Sequence, residues 1–212
     1  MHRPFAFIVC ASALAIAGCS QDPPERGPDE ETSAPSATAS STPPAKEDAD
    51  AEPTPDTGGY ASAYSDFDLA ACRVTGEDPE GASVDYACPG RAGVPVFVHL
   101  GDGRFDLDIG VDGGEFTTLG AFNELGDRLE WRTKDGAPFA VIFRYLDVAP
   151  QGEGRTVLAV EKIGRAGSPG CRVAHIAGDT ADANRVARRI ADERAAAFRC
   201  GTDETAYLGN SR

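Results

Sequence analysis

The chain has 212 residues and a formal net charge of −14, with Asp and Glu outnumbering Lys and Arg by 34 to 20. That balance leaves no basic patch to neutralise phosphates, so it argues against nucleic acid and against charge-driven docking on anionic lipid. With 41% hydrophobic residues the chain can still build a core, and its six cysteines ask for a redox assignment.

The N-terminus supplies it. Met1-His2-Arg3 is a small basic start, and Pro4 to Ala17 is apolar apart from one Ser and one Cys. A membrane-spanning helix needs about 20 apolar residues. This run is shorter and has the form of a signal-peptide core. It ends in Ile16-Ala17-Gly18-Cys19, which resembles the lipobox of bacterial lipoproteins. The resemblance implies a signal peptide over residues 1–18, lipid on Cys19, and membrane attachment through acyl chains rather than a spanning helix. Ser20 behind the cysteine resembles the outer-membrane destination, where inner-membrane retention typically has Asp. The expected location is the cell envelope, lipid-anchored, at the outer membrane and facing the periplasm.

Residues 19–59 read as a tether. From Ser20 to Gly59 there is no Val, Ile, Leu, Met or aromatic residue; the segment is Pro, Ser, Thr, Ala and acid. A stretch with nothing apolar to bury cannot offset the entropy of ordering, so disorder is expected. A flexible coil of about forty residues spans ~35 Å between its ends, and like charges extend it further. Residues 60–212 are long enough for a single domain with its own core.

Cys10 leaves with the signal and Cys19 carries lipid, which leaves Cys72, Cys88, Cys171 and Cys200. In an exported domain four cysteines read as two disulfides, with three possible connectivities. Leu69 to Val74 and Ser83 to Cys88 read as strands around the turn-forming run Thr75-Gly76-Glu77-Asp78-Pro79-Glu80-Gly81, and folding that hairpin brings Cys72 to Cys88. Cys171 opens a strand and Cys200 ends the helix that returns along it, which favours the second pair. No C-x-x-C spacing occurs, so a metal or redox role for these thiols is set aside.

Val94 to Leu100 and Arg104 to Ile109 flank Gly101-Asp102-Gly103, a hairpin signal. Alternation in the second strand puts Phe105, Leu107 and Ile109 inward and Arg104, Asp106 and Asp108 outward. Further strands are expected at Phe116 to Leu119, Arg128 to Thr133, Pro138 to Leu146, Arg155 to Ile163 and Cys171 to Ile176. Leu129 and Trp131 should face one way, and Arg128, Glu130 and Arg132 the other. Phe139 to Leu146 is apolar on both faces except for Arg144, which marks a central strand. Thr180 to Arg199 reads as a helix capped by Asp179 or Thr180, with Val186, Ala187, Ile190, Ala191, Ala197 and Phe198 as its apolar stripe and Gly201 as its stop. Arg185, Arg188, Arg189 and Arg194 are expected on a solvated face, paired with Asp182, Asp192 and Glu193. The fold class is α+β: a mostly antiparallel sheet with one C-terminal helix packed on it and two disulfides.

Catalytic groups are scarce. His175 falls four residues after Cys171 and so on the same strand face, but a cysteine nucleophile needs a free thiol. His99, among Val96, Phe97, Val98 and Leu100, reads as a strand residue, and no G-x-S-x-G is present. The run Asp102, Asp106, Asp108 and Asp112 lacks the spacing of a calcium loop and reads as two turns bracketing a strand. No catalytic residue, metal or cofactor is expected. The remaining candidate is a polar cluster of Asn123, Glu130, Arg132 and Arg144, in which Arg144 requires a carboxylate partner, with Glu130 or Glu161 as its expected source.

Three blocks stand out together: Leu69-Ala70-Ala71-Cys72 with Tyr86-Ala87-Cys88-Pro89-Gly90; Leu129-Glu130-Trp131-Arg132 with Pro138-Phe139-Ala140; and Gly170-Cys171-Arg172-Val173-Ala174-His175 leading through Ala183-Asn184 and Ile190-Ala191-Asp192 to Phe198-Arg199-Cys200-Gly201. They resemble a family of uncharacterised exported bacterial proteins over most of residues 66 to 204. That resemblance implies a shared cysteine framework and carries over no catalytic residue. Tyr86-Ala87-Cys88 is also similar to the aromatic-x-Cys start of membrane-bound lysozyme inhibitors of the C type. The chain departs from those in lacking their Ser-Gly-x-basic-Tyr loop and in adding the helix after Thr180. The expected function is a non-enzymatic envelope module that binds or supports an envelope protein or a cell-wall component. The alternatives are an inhibitor of a cell-wall hydrolase and, after it, an envelope enzyme.

Overall fold

The computed structural model describes residues 58–152 and 154–212; Cys19, the signal segment and the tether through residue 57 lie outside them. The chain lays down β1 (Tyr60–Asp66), a 3-10 turn (Leu69–Ala71), β2 (Arg73–Glu77), β3 (Ser83–Arg91), β4 (Val94–Gly101) and β5 (Arg104–Ile109). Then come β6 (Asn123–Leu125), β7 (Arg128–Lys134), β8 (Ala137–Asp147), β9 (Thr156–Lys162) and β10 (Cys171–Ala177). Helix α1 (Ala183–Ile190) continues into a π-helical turn (Ala191–Ala195), and β11 (Ala206–Leu208) closes the order. Among the described residues no helix is long and apolar enough to cross a membrane.

The strands form two sheets. The larger runs β1-β7-β8-β9-β10-β11, with β6 pairing β8 beyond the end of β7; the smaller runs β2-β3-β4-β5. Only β10 and β11 pair in parallel among the described strands. Three hairpin turns place two successive residues at positive φ, Ala92-Gly93, Asp102-Gly103 and Asp135-Gly136, the mirror-image turn geometry that matches strand twist.

Alternation along the strands builds two cores. Leu129, Trp131, Val141, Phe143 and Tyr145 of the larger sheet meet Val96, Val98, Leu107 and Ile109 of the smaller. Ala140, Ile142, Leu158, Val160 and Val173 on the larger sheet's other face meet Ala183, Ala187, Ile190, Ala191, Ala195 and Phe198. The order is therefore small sheet, large sheet, helix, with β8 central and buried on both faces as its composition predicts. Burying a large apolar side chain contributes about 1.5–3 kcal/mol. Trp131, fully buried, also donates its indole N–H to Ser65 Oγ at 2.9 Å, which removes the cost of an unpaired donor.

Both disulfides form as the cysteine arithmetic predicts, Cys72–Cys88 and Cys171–Cys200. Several expectations are corrected. Leu69–Ala71 is a 3-10 turn rather than strand, because Asp68 accepts the amide proton of Ala70 and caps it. Phe116 to Leu119 forms no strand; that segment lies over β5. The helix starts at Ala183, with Asp182 in a left-handed conformation as its cap. Its π-helical turn fits extra residues into one turn, so the buried stripe passes through Ala195 while Ala197 is exposed. Strand β1 has no counterpart among the expected strands, since its Ala and Ser residues carry little apolar signal.

Candidate functional site

Polar groups gather in three places. The first joins β7 to the helix. Glu130 and Arg132 face away from Trp131, as alternation requires, and meet the helix in two ion pairs: Arg188 Nε to Glu130 Oε1 at 2.6 Å and Arg132 Nη2 to Asp192 Oδ2 at 2.6 Å. Ser62 on β1 links them, donating to Glu130 and accepting from Arg132 Nη1 at 2.6 Å. The Asp192 carbonyl, in the π-helical turn, accepts from the Tyr60 hydroxyl at 3.2 Å.

The proposed polar cluster thus holds only in part. Glu130 and Arg132 come together, but Arg144 donates instead to Thr156 and Asn184 at 3.1 and 3.3 Å. Asn123 stands apart and pins β6 to β5, accepting from the Phe105 amide at 3.1 Å and donating to Thr118 and Ala121. Neither Glu130 nor Glu161 pairs with Arg144. The helix arginines divide: Arg185 pairs with Asp182 as expected, whereas Arg188 is taken by the sheet.

The second place is the interior between the sheets. Arg172 donates from Nε to Glu161 at 2.8 Å and from Nη2 to Asp106 at 2.8 Å, and its Nη1 contacts His175 Nε2 at 2.7 Å and the Tyr145 hydroxyl at 3.2 Å. All five residues are at most 3% exposed. A β-bulge between Arg172 and Ala174 makes this possible. The extra residue, Val173, shifts the strand by one, so Arg172 and His175 share the inner face although they are three apart. For the same reason His175 does not share a face with Cys171, which packs toward the helix. Burial and the neighbouring guanidinium press His175 down to about 3, so it is neutral and accepts from Arg172 through Nε2. Burial lifts Glu161 to about 8 against the pull of Arg172, and lifts Asp106 as well. Two carboxylates share one guanidinium in a dry site, and one of them is the natural place for a proton.

The third place is a cleft of about 240 Å³ on the small sheet, lined by Ser83, Asp85, His99, Leu100, Gly114 and Phe116 among others. Register aligns Asp85 on β3, His99 on β4 and Asp106 on β5 in one row. The reading of His99 as an ordinary strand residue is corrected: it stands among three carboxylates. Its Nδ1 lies 2.8 Å from Asp85 Oδ1, and its Nε2 lies 3.2 Å from Asp112 Oδ1 and 3.6 Å from Asp108 Oδ2. Attraction to the Asp108 carboxylate, opposed by burial and helped by Asp85 and Asp112, raises His99 to about 9.

Asp106 and Asp108, expected to face solvent, are 2% and 3% exposed, because residues 110–122 fold back over β5. Asp108 Oδ2 accepts the amide protons of Gly113 and Gly114 at 3.0 and 2.7 Å, and Asp106 Oδ2 that of Thr117 at 2.7 Å. Burial works against the Asp108 anion, but His99 and those two amides outweigh it and hold its pKa low. Periodicity could not reveal this group, since its members come from three strands and a loop. The one sequence signal was the density of Asp between residues 102 and 112.

Fold and sites together define, over the described residues, an α+β protein with two disulfides, a closed ionic interior and an open acidic cleft. No family model matches the chain, and no curated protein and no solved structure matches it either.

Proposed function

We propose that this protein is a lipid-anchored, non-enzymatic module of a bacterial cell envelope, held by Cys19 at the outer membrane, whose folded domain binds another envelope component. The observation that carries the binding role is an exposed apolar patch beside the acidic cleft. Phe116, Phe122 and Val148 are 48%, 50% and 48% exposed. Phe116 lies against Gly101 and Phe122 against Gly103, on either side of the β4–β5 turn, and the Val148 amide bonds the Phe122 carbonyl at 3.0 Å. Large apolar side chains left in water as neighbours are a mark of contact surfaces. The two disulfides support an oxidising compartment, and the signal and tether read from the sequence agree with it.

The test is in-cell photocrosslinking from position 122 of the full chain, with palmitate labelling in parallel. The expected result is a reproducible covalent partner from the envelope, lost when Phe116 is changed to Ser, and palmitate incorporation abolished by Cys19→Ser. Equal palmitate labelling of wild type and Cys19→Ser would end the anchored reading. An adduct that ignores Phe116→Ser would end the assignment of this face. Capture of a cell-wall hydrolase whose activity the purified protein suppresses would replace the general reading with the inhibitor one.

A further inference from the structure

We propose that His99, Asp108 and Asp112 form a binding site for a divalent transition-metal ion of the zinc class, next to the cleft that His99 lines. The inference is independent of the anchored-module reading and rests on the donor atoms alone. One atom from each residue, His99 Nε2 and one oxygen of each Asp, lies within 4.8 Å of the other two. Around a tetrahedral ion with bonds of about 2.0–2.2 Å, neighbouring ligand atoms sit about 3.3–3.6 Å apart. The 3.2 and 3.6 Å separations from His99 Nε2 to Asp112 and Asp108 are already close to the edges of such a polyhedron.

The histidine is set up as a ligand. Its Nδ1 meets Asp85 at 2.8 Å, and a carboxylate on that nitrogen fixes the tautomer whose Nε2 lone pair binds a metal once the ion displaces the second ring proton. Nε2 itself is buried and makes no hydrogen bond, although an oxygen of Asp112 and one of Asp108 lie 3.2 and 3.6 Å from it. An ion between the three would satisfy that atom. Charge agrees. Asp85, Asp108 and Asp112 bring three negative charges to one imidazole, an excess that a doubly charged ion balances better than a single proton does.

The support is rigid where it must be. His99 and Asp108 sit on adjacent hairpin strands, Asp108 facing Phe97 and so one step along from His99. The amides of Gly113 and Gly114 hold its carboxylate, and the same turn carries Asp112. One imidazole nitrogen with two carboxylate oxygens is a borderline-to-hard donor set, suited to zinc or manganese. Calcium asks for six to eight oxygens, more than this group offers. With three protein ligands, water fills the other positions.

The experiment is equilibrium dialysis of the chelator-treated full chain, disulfides intact, against zinc chloride, with calcium chloride in a matched arm. The expected result is one zinc per chain that resists excess calcium. His99→Gln and Asp112→Asn should each abolish that equivalent or weaken it at least tenfold. Asp85→Asn should weaken it about ten- to hundredfold without touching the ion. Asp112 is half exposed, so its variant keeps the fold, and a matching far-ultraviolet spectrum and melting curve verify this. No saturable zinc, zinc binding indifferent to both His99→Gln and Asp112→Asn, or zinc readily displaced by calcium would each overturn the site and leave His99 as an ion-paired imidazolium only.

Discussion

Replacing Arg172 by Met is expected to lower folding stability by about 3–5 kcal/mol, read as a fall in the urea midpoint. The side chain is the only cation in contact with Glu161 and Asp106 among the described residues. It also stacks against Phe143 and Tyr145, with its guanidinium carbon 4.8 and 5.4 Å from the ring centres. Methionine fills much of the space but leaves a buried carboxylate with no counterion beside a buried carboxylic acid, and removes the hydrogen bonds that Arg172 gives to His175 and Tyr145. Removing the charges together should recover much of the loss: Arg172→Met combined with Glu161→Gln and Asp106→Asn is expected to be markedly more stable than Arg172→Met alone. Lysine is no substitute, because a single ammonium cannot reach the four groups that the planar fork serves. A loss under about 1 kcal/mol for Arg172→Met would show that water, not the guanidinium, supports these carboxylates.

The second large effect is a flat-topped dependence of stability on pH. His175 has its folded pKa near 3, below the ordinary 6.5. Between those values the unfolded chain binds a proton that the folded chain refuses, so stability rises with pH there. Glu161 has the opposite sign, its folded pKa being near 8 and the ordinary value 4.5. Across that window the folded chain holds the extra proton, and stability falls as pH rises. The two slopes cancel between 4.5 and 6.5. These two groups therefore give a plateau there, with losses of about 2 kcal/mol down to pH 3 on the acid side and about 2 kcal/mol up to pH 8 on the other, where His99, raised to about 9, steepens the fall above 6.5 with the same sign as Glu161. His175→Gln should remove its share of the acid limb and convert the plateau into a slope that rises toward low pH. Urea midpoints from pH 3 to 8 for wild type and His175→Gln test this; identical acid limbs would remove His175 from the account.

What the sequence revealed follows periodicity and local chemistry. Alternation of Leu129 and Trp131 with Glu130 and Arg132 separated the two faces of β7 correctly. The double-sided apolar run of β8 marked the central strand, and the hairpin of β2 and β3 brought Cys72 to Cys88, although Thr75 to Glu77, read as part of the turn, belong to β2. The sites lay beyond that reach. Arg172 and His175 share a face only because Val173 bulges, and a period-two pattern has no term for an inserted residue. Arg144 and Glu161 both stand out in apolar strands, yet pairing of Arg144 with Leu158 and of Glu161 with Val141 puts them on opposite faces of the larger sheet. His99 gathers its partners through register, with Asp85 opposite it and Asp108 diagonal, and register is set by pairing rather than by composition. The helix arginines looked alike in sequence, and only the placement of Glu130 beneath one of them separated Arg188 from Arg185.

The Cys171–Cys200 bond closes a covalent ring around β10, the helix and its π-helical turn. Arg185, Arg188, Arg189, Arg194 and Arg199 all lie inside that ring, and it is the richest stretch of the folded chain for a protease that cuts after arginine. A cut there opens the backbone but sheds nothing. The nicked molecule keeps its full mass on a non-reducing gel and separates into two pieces only once a reductant is added. Whatever the N-terminal segment is attached to would stay joined to the C-terminal strand after such damage, for as long as the surroundings remain oxidising.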